Sequence, residues 1–275
     1  MAGKLILVGT PIGNLNDMSP RTAEAFREAD FIAAEDTRVT VKLLNHLGIK
    51  KPLVSYYEHN RAESGEKILS RLLAGEVCAL ATDAGMPAIS DPGEDIVDMC
   101  HDAGIEVIAV PGPCAAVCGL ALSGLPTGRF TFEGFLSTVK KNRYAHLEEL
   151  KAEKRTMIFY EAPHKLKATL ADMASYFGAD RRLSISRELT KLHEETRRTT
   201  LGEAVKYYDI VPPKGEFVLI IEGAAESAEP EITMEQAVEA VNKLIEGGMS
   251  RKDAVKQTAK DTGIPKNRLY DEVIG

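Results

Sequence analysis

Apolar residues come in short runs along this chain, and the stretches between them carry helical spacing. Lys4–Val8, Phe31–Ala34, Leu53–Tyr56, Val77–Ala81 and Glu106–Val110 each read as a buried strand. Helix signals fall between them. Ser19 before Pro20 reads as an N-cap and first helical residue, opening a helix to about Ala29. Thr37 to Leu47 is closed by Gly48, and Ala62–Ala74 by Gly75. In Asp91-Pro92-Gly93-Glu94, Asp91 has the place of a cap, Pro92 the first helical position and Glu94 the third, and that helix ends at Gly104. Cys114–Leu122 reads as a helix of small residues. Five strands alternating with helices predict a mostly parallel sheet.

The pattern then restarts. Gly124-Leu125-Pro126-Thr127-Gly128 has the composition of a connection. Strands follow at Arg129–Glu133, Thr156–Tyr160, Leu183–Ser186 and Phe217–Glu222, with Thr196–Leu201 a further candidate. Helices fall near Lys141–Glu153, Lys165–Phe177 and Leu201–Tyr208. Residues 224–231, rich in Ala, Glu, Ser and Pro, read as a linker. Beyond it lie helical patterns at Thr233–Glu246, Ser250–Asp261 and Lys266–Val273. Ser250-Arg251-Lys252-Asp253 is a capping-box variant. The expected organisation is an α/β domain over 1–123, a second over 124–223, the linker 224–231, and a helix-turn-helix-like extension over 232–275. Residues 250–268 hold six Lys/Arg against two Asp, which suits nucleic-acid binding and a plain three-helix packing unit equally.

Bulk properties narrow the class. The 275 residues are 44% hydrophobic and 27% charged, ordinary for a soluble globular protein. No apolar stretch reaches the roughly 18 residues of a membrane helix. Met1-Ala2-Gly3-Lys4 leads straight into a strand, which argues against a signal peptide. Cys78, Cys100, Cys114 and Cys118 lie in apolar surroundings without a C-x-x-C pair, so buried free thiols and a cytoplasmic location are expected. Net charge is -7, yet residues 137–206 hold 15 Lys/Arg and 10 Asp/Glu, a local +5 against -12 elsewhere. Such a segment suits either a polyanion footprint or a solvated mixed-charge surface.

Several common chemistries are missing from the sequence. It has no phosphate loop of the G-x-x-x-x-G-K-[ST] type, no G-x-G-x-x-G, no G-x-S-x-G and no His/Cys cluster with zinc spacing. What remains is three Gly/Pro loops, 9–14, 82–93 and 111–115, each placed after a strand. Loops at one end of a parallel sheet line a ligand crevice, and Gly lets backbone approach the ligand closely. Asp83 suits ligand fixing or a turn, Asp91 the helix cap, and Ser90 either role. Glu35-Asp36-Thr37-Arg38 and Tyr57-Glu58-His59-Asn60 follow the second and third strands, where both substrate handling and capping are served. In the second half, Tyr160-Glu161-Ala162-Pro163-His164 and Arg187-Glu188-Leu189-Thr190-Lys191 concentrate charge at loop positions.

Together with Leu7-Val8-Gly9-Thr10-Pro11-Ile12-Gly13-Asn14-Leu15, Pro111-Gly112-Pro113 and Phe132-Glu133-Gly134-Phe135, these segments resemble, in order over residues 4–223, the ribosomal RNA small subunit methyltransferase I family. That family is a branch of the tetrapyrrole methylase superfamily. The resemblance implies two α/β domains of the tetrapyrrole methylase (class III methyltransferase) type with a small C-terminal helical extension. It implies S-adenosylmethionine as cosubstrate, no metal, a homodimer, and 2′-O-methylation of a cytidine ribose in the decoding centre of 16S rRNA within the small ribosomal subunit. Cosubstrate contacts are then expected at Pro11, Ile12, Asp83, Gly85, Met86, Cys114, Ala115, Tyr160, Arg187 and Phe217. Met86 and Cys114 depart from the smaller hydroxyl residues that many members carry there.

A ribose hydroxyl is a poor nucleophile, so a base or a charge-stabilising cation should assist. Glu35, His59, Glu161, Arg187 and Lys191 are the candidates, with Arg187 and Lys191 expected on RNA phosphate or the developing alkoxide. Lys140, Lys141 and Arg143 are expected to face RNA. Two other readings stay open: a superfamily enzyme acting on a small molecule such as a corrinoid precursor, and a non-catalytic RNA-binding assembly protein.

Overall fold

The structure, a computed structural model, describes residues 2–225, 233–262 and 264–274. The chain divides into two compact units, up to Ala224 and from Ala225.

The first unit opens with β1 (Lys4–Val8), α1 (Pro20–Glu28), β2 (Phe31–Ala34), α2 (Thr37–His46), β3 (Leu53–Ser55), α3 (Arg61–Leu73), β4 (Val77–Ala81), α4 (Glu94–Asp102) and β5 (Glu106–Val110). The strands form one sheet in the order β3-β2-β4-β1-β5, parallel throughout. Alternate residues serve opposite faces. Leu5, Phe31 and Leu80 pack with Ile68, Leu72 and Ile96 of α3 and α4. Ile6, Val8 and Ile32 pack with Phe26 and Leu44 of α1 and α2. Both faces are covered, which is why these strands read as apolar runs rather than alternating ones. The three Gly/Pro loops follow β4, β1 and β5, which are neighbours in the sheet.

Next come α5 (Ala115–Ser123), β6 (Phe130–Phe135), α6 (Lys140–Glu149), β7 (Thr156–Glu161), α7 (Pro163–Phe177), β8 (Arg182–Arg187), β9 (Glu195–Thr200), α8 (Leu201–Ile210) and β10 (Phe217–Ile221). This second sheet has the order β6-β7-β10-β8-β9. Only β6 and β7 run parallel; β10 is antiparallel to both β7 and β8, and β8 to β9. One face packs Phe159, Ile185, Phe217 and Leu219 under α6, α7 and α8. The other face packs Ile158, Val218 and Ile220 against Ala116 and Leu120 of α5. Helix α5 therefore follows the last strand of the first sheet but covers the second. The contact is close: a Cβ at Gly119 would lie 2.9 Å from Val218 Cγ1.

The second unit holds α9 (Met234–Glu246), α10 (Arg251–Thr262) and α11 (Lys266–Ile274). Ala237, Val241, Ala254, Val255 and Leu269 form its core. Thr233 and Gln236 complete a capping box on α9, and the Ser250 hydroxyl accepts from the Asp253 N–H at 3.2 Å. From residue 226 to its end, the expected linker lies outside the described residues. Among the described residues no helix is long and apolar enough to cross a membrane.

Candidate active site

The loops after β1, β4 and β5 are pinned to one another by backbone. Thr10 N–H donates to the Gly85 carbonyl at 2.9 Å, and Gly85 N–H to the Thr10 carbonyl at 3.2 Å. Gly9 meets Gly112 so closely that a Cβ on Gly9 would lie 2.5 Å from Gly112 Cα. Gly85 has φ +92, a conformation open to glycine at little cost.

Above these loops lies a cavity of about 430 Å³, within the size range of small-molecule sites. Ile12, Met86, Ile89 and Cys114 wall it from the first half; Phe135, Tyr160, Leu189, Phe217 and Val218 wall it from the second. Seven of the ten expected cosubstrate contacts line it: Ile12, Gly85, Met86, Cys114, Ala115, Tyr160 and Phe217. Pro11, Asp83 and Arg187 are not among its lining residues. The Tyr160 hydroxyl accepts from the Ala116 N–H at 3.0 Å, a first-turn donor of α5 that has no partner within the helix. Burial pushes this phenol up to about 12.

Three acidic residues line the cavity: Asp91, Glu161 and Glu216. Glu161 is buried, and its oxygens accept from the Ala162 N–H and the Thr169 hydroxyl. Glu216 accepts from Lys191 Nζ at 2.8 Å, and Glu188 accepts from the same ammonium at 2.9 Å. Burial works against the Lys191 charge, but the two carboxylates hold its pKa above the usual lysine value. The Lys191 stem crosses to the first half, since a Cβ on Gly13 would lie 2.5 Å from its Cγ.

Asp91 corrects the sequence reading. It does not cap α4, whose N-cap is Gly93 with no side-chain hydrogen bond. Gly93 has φ +153 between Pro92 and the helix, so the Asp-Pro-Gly-Glu pattern never closes into a first turn. Asp91 lines the cavity instead. Burial pushes its pKa up to about 6, and the Glu35 carboxylate adds to the shift. The Thr82 hydroxyl works against both, although its buried Oγ1 meets full hydrogen-bond geometry with no partner.

The remaining candidates lie off the cavity wall. Glu35 and Asp83 clip the loops after β2 and β4: Asp36 N–H donates to Asp83 Oδ1 at 3.2 Å and Asp83 N–H to Glu35 Oε2 at 3.4 Å. Burial raises the pKa of both carboxyls, while Arg38 holds neighbouring Asp36 down to about 2. His59 is exposed, edge-on to Tyr57. Arg187 pairs with Glu195 at 3.2 Å. Arg143, expected to face RNA, pairs with Asp172 at 2.7 Å and donates to the Ser137 carbonyl. Cys78 and Cys100 are buried as expected; Cys114 and Cys118 are half-buried, Cys114 because it faces the cavity.

Backbone strain marks the same place. Among the described residues, the non-glycine positions with positive φ are Ala88 (66°), Ser90 (62°), Glu188 (53°) and Thr190 (67°). They fall in two loops that face each other across the cavity through Ile89, Ser90 and Leu189. Each such residue costs about 1–3 kcal/mol, and clusters of them gather at ligand sites. No residue-type pattern announces them. Asp91 and Glu216 were within reach of sequence reading, since one lies inside loop 82–93 and the other directly precedes Phe217.

Comparison with known proteins agrees with this architecture. A family described as Tetrapyrrole (Corrin/Porphyrin) Methylases matches residues 4–205. A Halalkalibacterium halodurans protein named ribosomal RNA small subunit methyltransferase I is 50% identical over 272 residues, covering 98% of this chain and 94% of its own. A Synechocystis protein of the same name is 47% identical over 268 residues, covering 98% and 96%. Among solved structures, the methyltransferase CobJ superposes with a TM-score of 0.60 at 18% identity, over 82% of this chain and 95% of that one. A Thermus thermophilus uroporphyrin-III C-methyl transferase complexed with S-adenyl homocysteine gives 0.56 at 18% identity, over 80% and 97%. At such identity these two speak for the fold alone. Profile, full-length relatives and fold converge, and the chain belongs to the tetrapyrrole methylase family, within the group of ribosomal RNA small subunit methyltransferase I proteins.

Proposed function

We propose that this protein is an S-adenosylmethionine-dependent methyltransferase that methylates the 2′-hydroxyl of a cytidine ribose in the decoding centre of 16S rRNA. The observation that carries the reading is identity of 47–50% to proteins named for small-subunit rRNA methylation across nearly the whole chain. The cavity fits the cosubstrate. Its apolar walls match an adenosine ring and methionine stem, and its floor is backbone that only glycines allow to approach so closely. When bound, the cosubstrate supplies an electrophilic methyl on a sulfonium.

The chain's own task is then chiefly alignment, worth several kcal/mol when the reacting atoms are held in line. The paired Thr10–Gly85 backbone fixes one wall, and the Tyr160–Ala116 hydrogen bond fixes the start of α5 on the other. Ile12, Ile89, Phe135 and Leu189 exclude water around the reacting centre. Lys191, held between Glu188 and Glu216, ties the two halves together at Gly13 rather than offering a free cation.

RNA contact is assigned to Lys140 and Lys141. Both are exposed at the first two positions of α6, whose first turn has no acidic residue. Lys140 Nζ also lies 5.1 Å over the Tyr144 ring; positive charge at a helix N-terminus opposes the macrodipole, so helix formation itself does not call for these lysines, whereas a polyanion would. A homodimer is supported by α5, which is apolar all round and leaves Val117 56% and Leu122 47% exposed.

The test is transfer of labelled methyl from S-adenosylmethionine to 30S subunits, naked 16S rRNA and precorrins in parallel, followed by nucleoside analysis. Label in 2′-O-methylcytidine from the RNA arms is expected. Label confined to precorrins, or to a base rather than a ribose, refutes the reading.

A further inference from the structure

We propose that Asp91 takes the proton from the hydroxyl that accepts the methyl group. The inference rests on the hydroxyl-methylation reading above. It starts from the carboxylates on the cavity wall. Glu161 is occupied by the Ala162 N–H and the Thr169 hydroxyl, and Glu216 by Lys191. Asp91 has the Thr82 hydroxyl beside it and, among the described residues, no cation acting on it. Of the residues first considered as bases, Glu35 and His59 lie off the cavity wall.

The loop holds Asp91 there against backbone preference. Ala88 and Ser90 take left-handed conformations, and Gly93 folds back until a Cβ on it would lie 2.9 Å from the Ala88 Cβ. Ser90 sits under the bulge of β6, 3.5 Å from where a Gly134 Cβ would lie. This arrangement forgoes the expected helix cap and sets Asp91 in the cavity lining.

The charged and titratable groups facing Asp91 are Glu35 from the end of β2, Asp83 from the end of β4 and Tyr160 from β7. Burial and the Glu35 and Asp83 carboxylates disfavour the Asp91 carboxylate and make it a better proton acceptor than a solvated aspartate, while the Tyr160 phenol, pushed up to about 12, stays neutral beside it. A base titrating near 6 is ionised at neutral pH and still basic enough to help. As the hydroxyl oxygen bonds to the methyl carbon, its proton moves to an Asp91 oxygen. The carbon–sulfur electron pair stays on sulfur, giving a thioether, and the sulfonium charge leaves as that proton.

The experiment compares wild type, Asp91→Asn and Asp91→Glu in single-turnover methylation of 30S subunits across pH, with S-adenosylhomocysteine affinity measured by calorimetry. Wild type should show a rate limb near pH 6. Asp91→Asn should lose about 10²- to 10⁴-fold in rate together with that limb, while S-adenosylhomocysteine binds within about twofold of wild type. Asp91→Glu should recover part of the rate with the limb moved. A wild-type rate in Asp91→Asn, survival of the limb in it, or loss of S-adenosylhomocysteine binding overturns the assignment. Wild type that labels no ribose overturns the hydroxyl reading itself, and is seen before any variant is made.

Discussion

The Gly9–Gly112 contact is the tightest constraint on the cavity floor, and a single methyl tests it. In Gly9→Ala the new Cβ would lie 2.5 Å from Gly112 Cα, 2.6 Å from Gly112 N and 2.8 Å from Met86 Sδ. Carbon atoms pack at about 3.5–4.0 Å, so the loops after β1 and β5 must part by about 1 Å. Gly9 does not have positive φ, so the cost is steric alone. Overpacking of this kind costs about 1–3 kcal/mol. For a unit of this size each kcal/mol lowers Tm by about 2–4 °C, giving a fall of roughly 2–12 °C. A 1 Å misplacement near the chemistry costs about 10²-fold in rate, so kcat/KM for methyl transfer to 30S subunits should drop by about that factor. Gly104→Ala is the control. That residue has φ +67 with nothing within 4 Å of a Cβ, so it should lower Tm through the roughly 1–2 kcal/mol cost of a left-handed non-glycine residue and leave kcat/KM alone. A destabilised Gly9→Ala protein with wild-type kcat/KM refutes the view that this contact sets the site's geometry.

Three further outcomes are expected. Lys140→Gln with Lys141→Gln should weaken RNA binding and make the slope of log K against log salt less negative by about 1.4, at about 0.7 per phosphate contact on single strands; filter binding across a salt series checks this, and an unchanged slope removes these lysines from the interface. Leu122→Glu should shift the protein from dimer to monomer in light scattering without lowering Tm, since the side chain is 47% exposed in the single chain; a dimer that persists refutes the α5 interface. Asp91→Asn should be more stable than wild type at pH 7.5. The folded-state pKa of about 6 exceeds the ordinary 3.8, so the folded protein binds the proton more tightly, and stability falls as pH rises from about 4 to about 6. The full shift corresponds to about 3 kcal/mol, reduced by solvent screening of this part-exposed group to about 1 kcal/mol. Urea titrations should show that gain at pH 7.5 and little of it below pH 4; a variant less stable at pH 7.5 contradicts the assigned environment.

The central strands were legible because both sheets bury them deeply. Val77–Ala81 and Phe217–Ile221 are apolar at nearly every position, and such runs signal a doubly covered strand whatever the fold. The three loops were legible because Gly and Pro after a parallel strand mark a crevice. Helix α5 was found but not its partner: Ala115–Ser123 has no polar face to orient it, so nothing local says that it leaves the first sheet to cover the second. The division of labour among carboxylates was also hidden. Glu161 is settled by Thr169, Glu216 by Lys191, and Asp91 by Thr82 and Glu35. Glu35 lies in the loop after β2 and Lys191 on a loop 25 residues from Glu216, and single-sequence patterns carry no term for such pairs. Asp91 failed in an instructive way, because the sequence satisfies a helix-start pattern that one conformation at Gly93 cancels.

Ala88, Ser90, Glu188 and Thr190 show what that hidden layer does. Left-handed backbone at a non-glycine residue survives only where the surroundings over-determine it. Here the surroundings come from both halves: Gly134 of β6 beside Ser90, and Gly13 and Gly215 beside Lys191 and Glu188. Neither strained loop is held by its own sheet alone. Each is held by the other half of the unit, so the cavity's shape depends on the two sheets being together, and α5, which follows β5 and packs on the second sheet, is a link between them. Loosening α5 from Val218 and Ile220 should therefore relax both loops at once. The site is best understood as a consequence of that one helix changing sheets, rather than as a feature of either sheet.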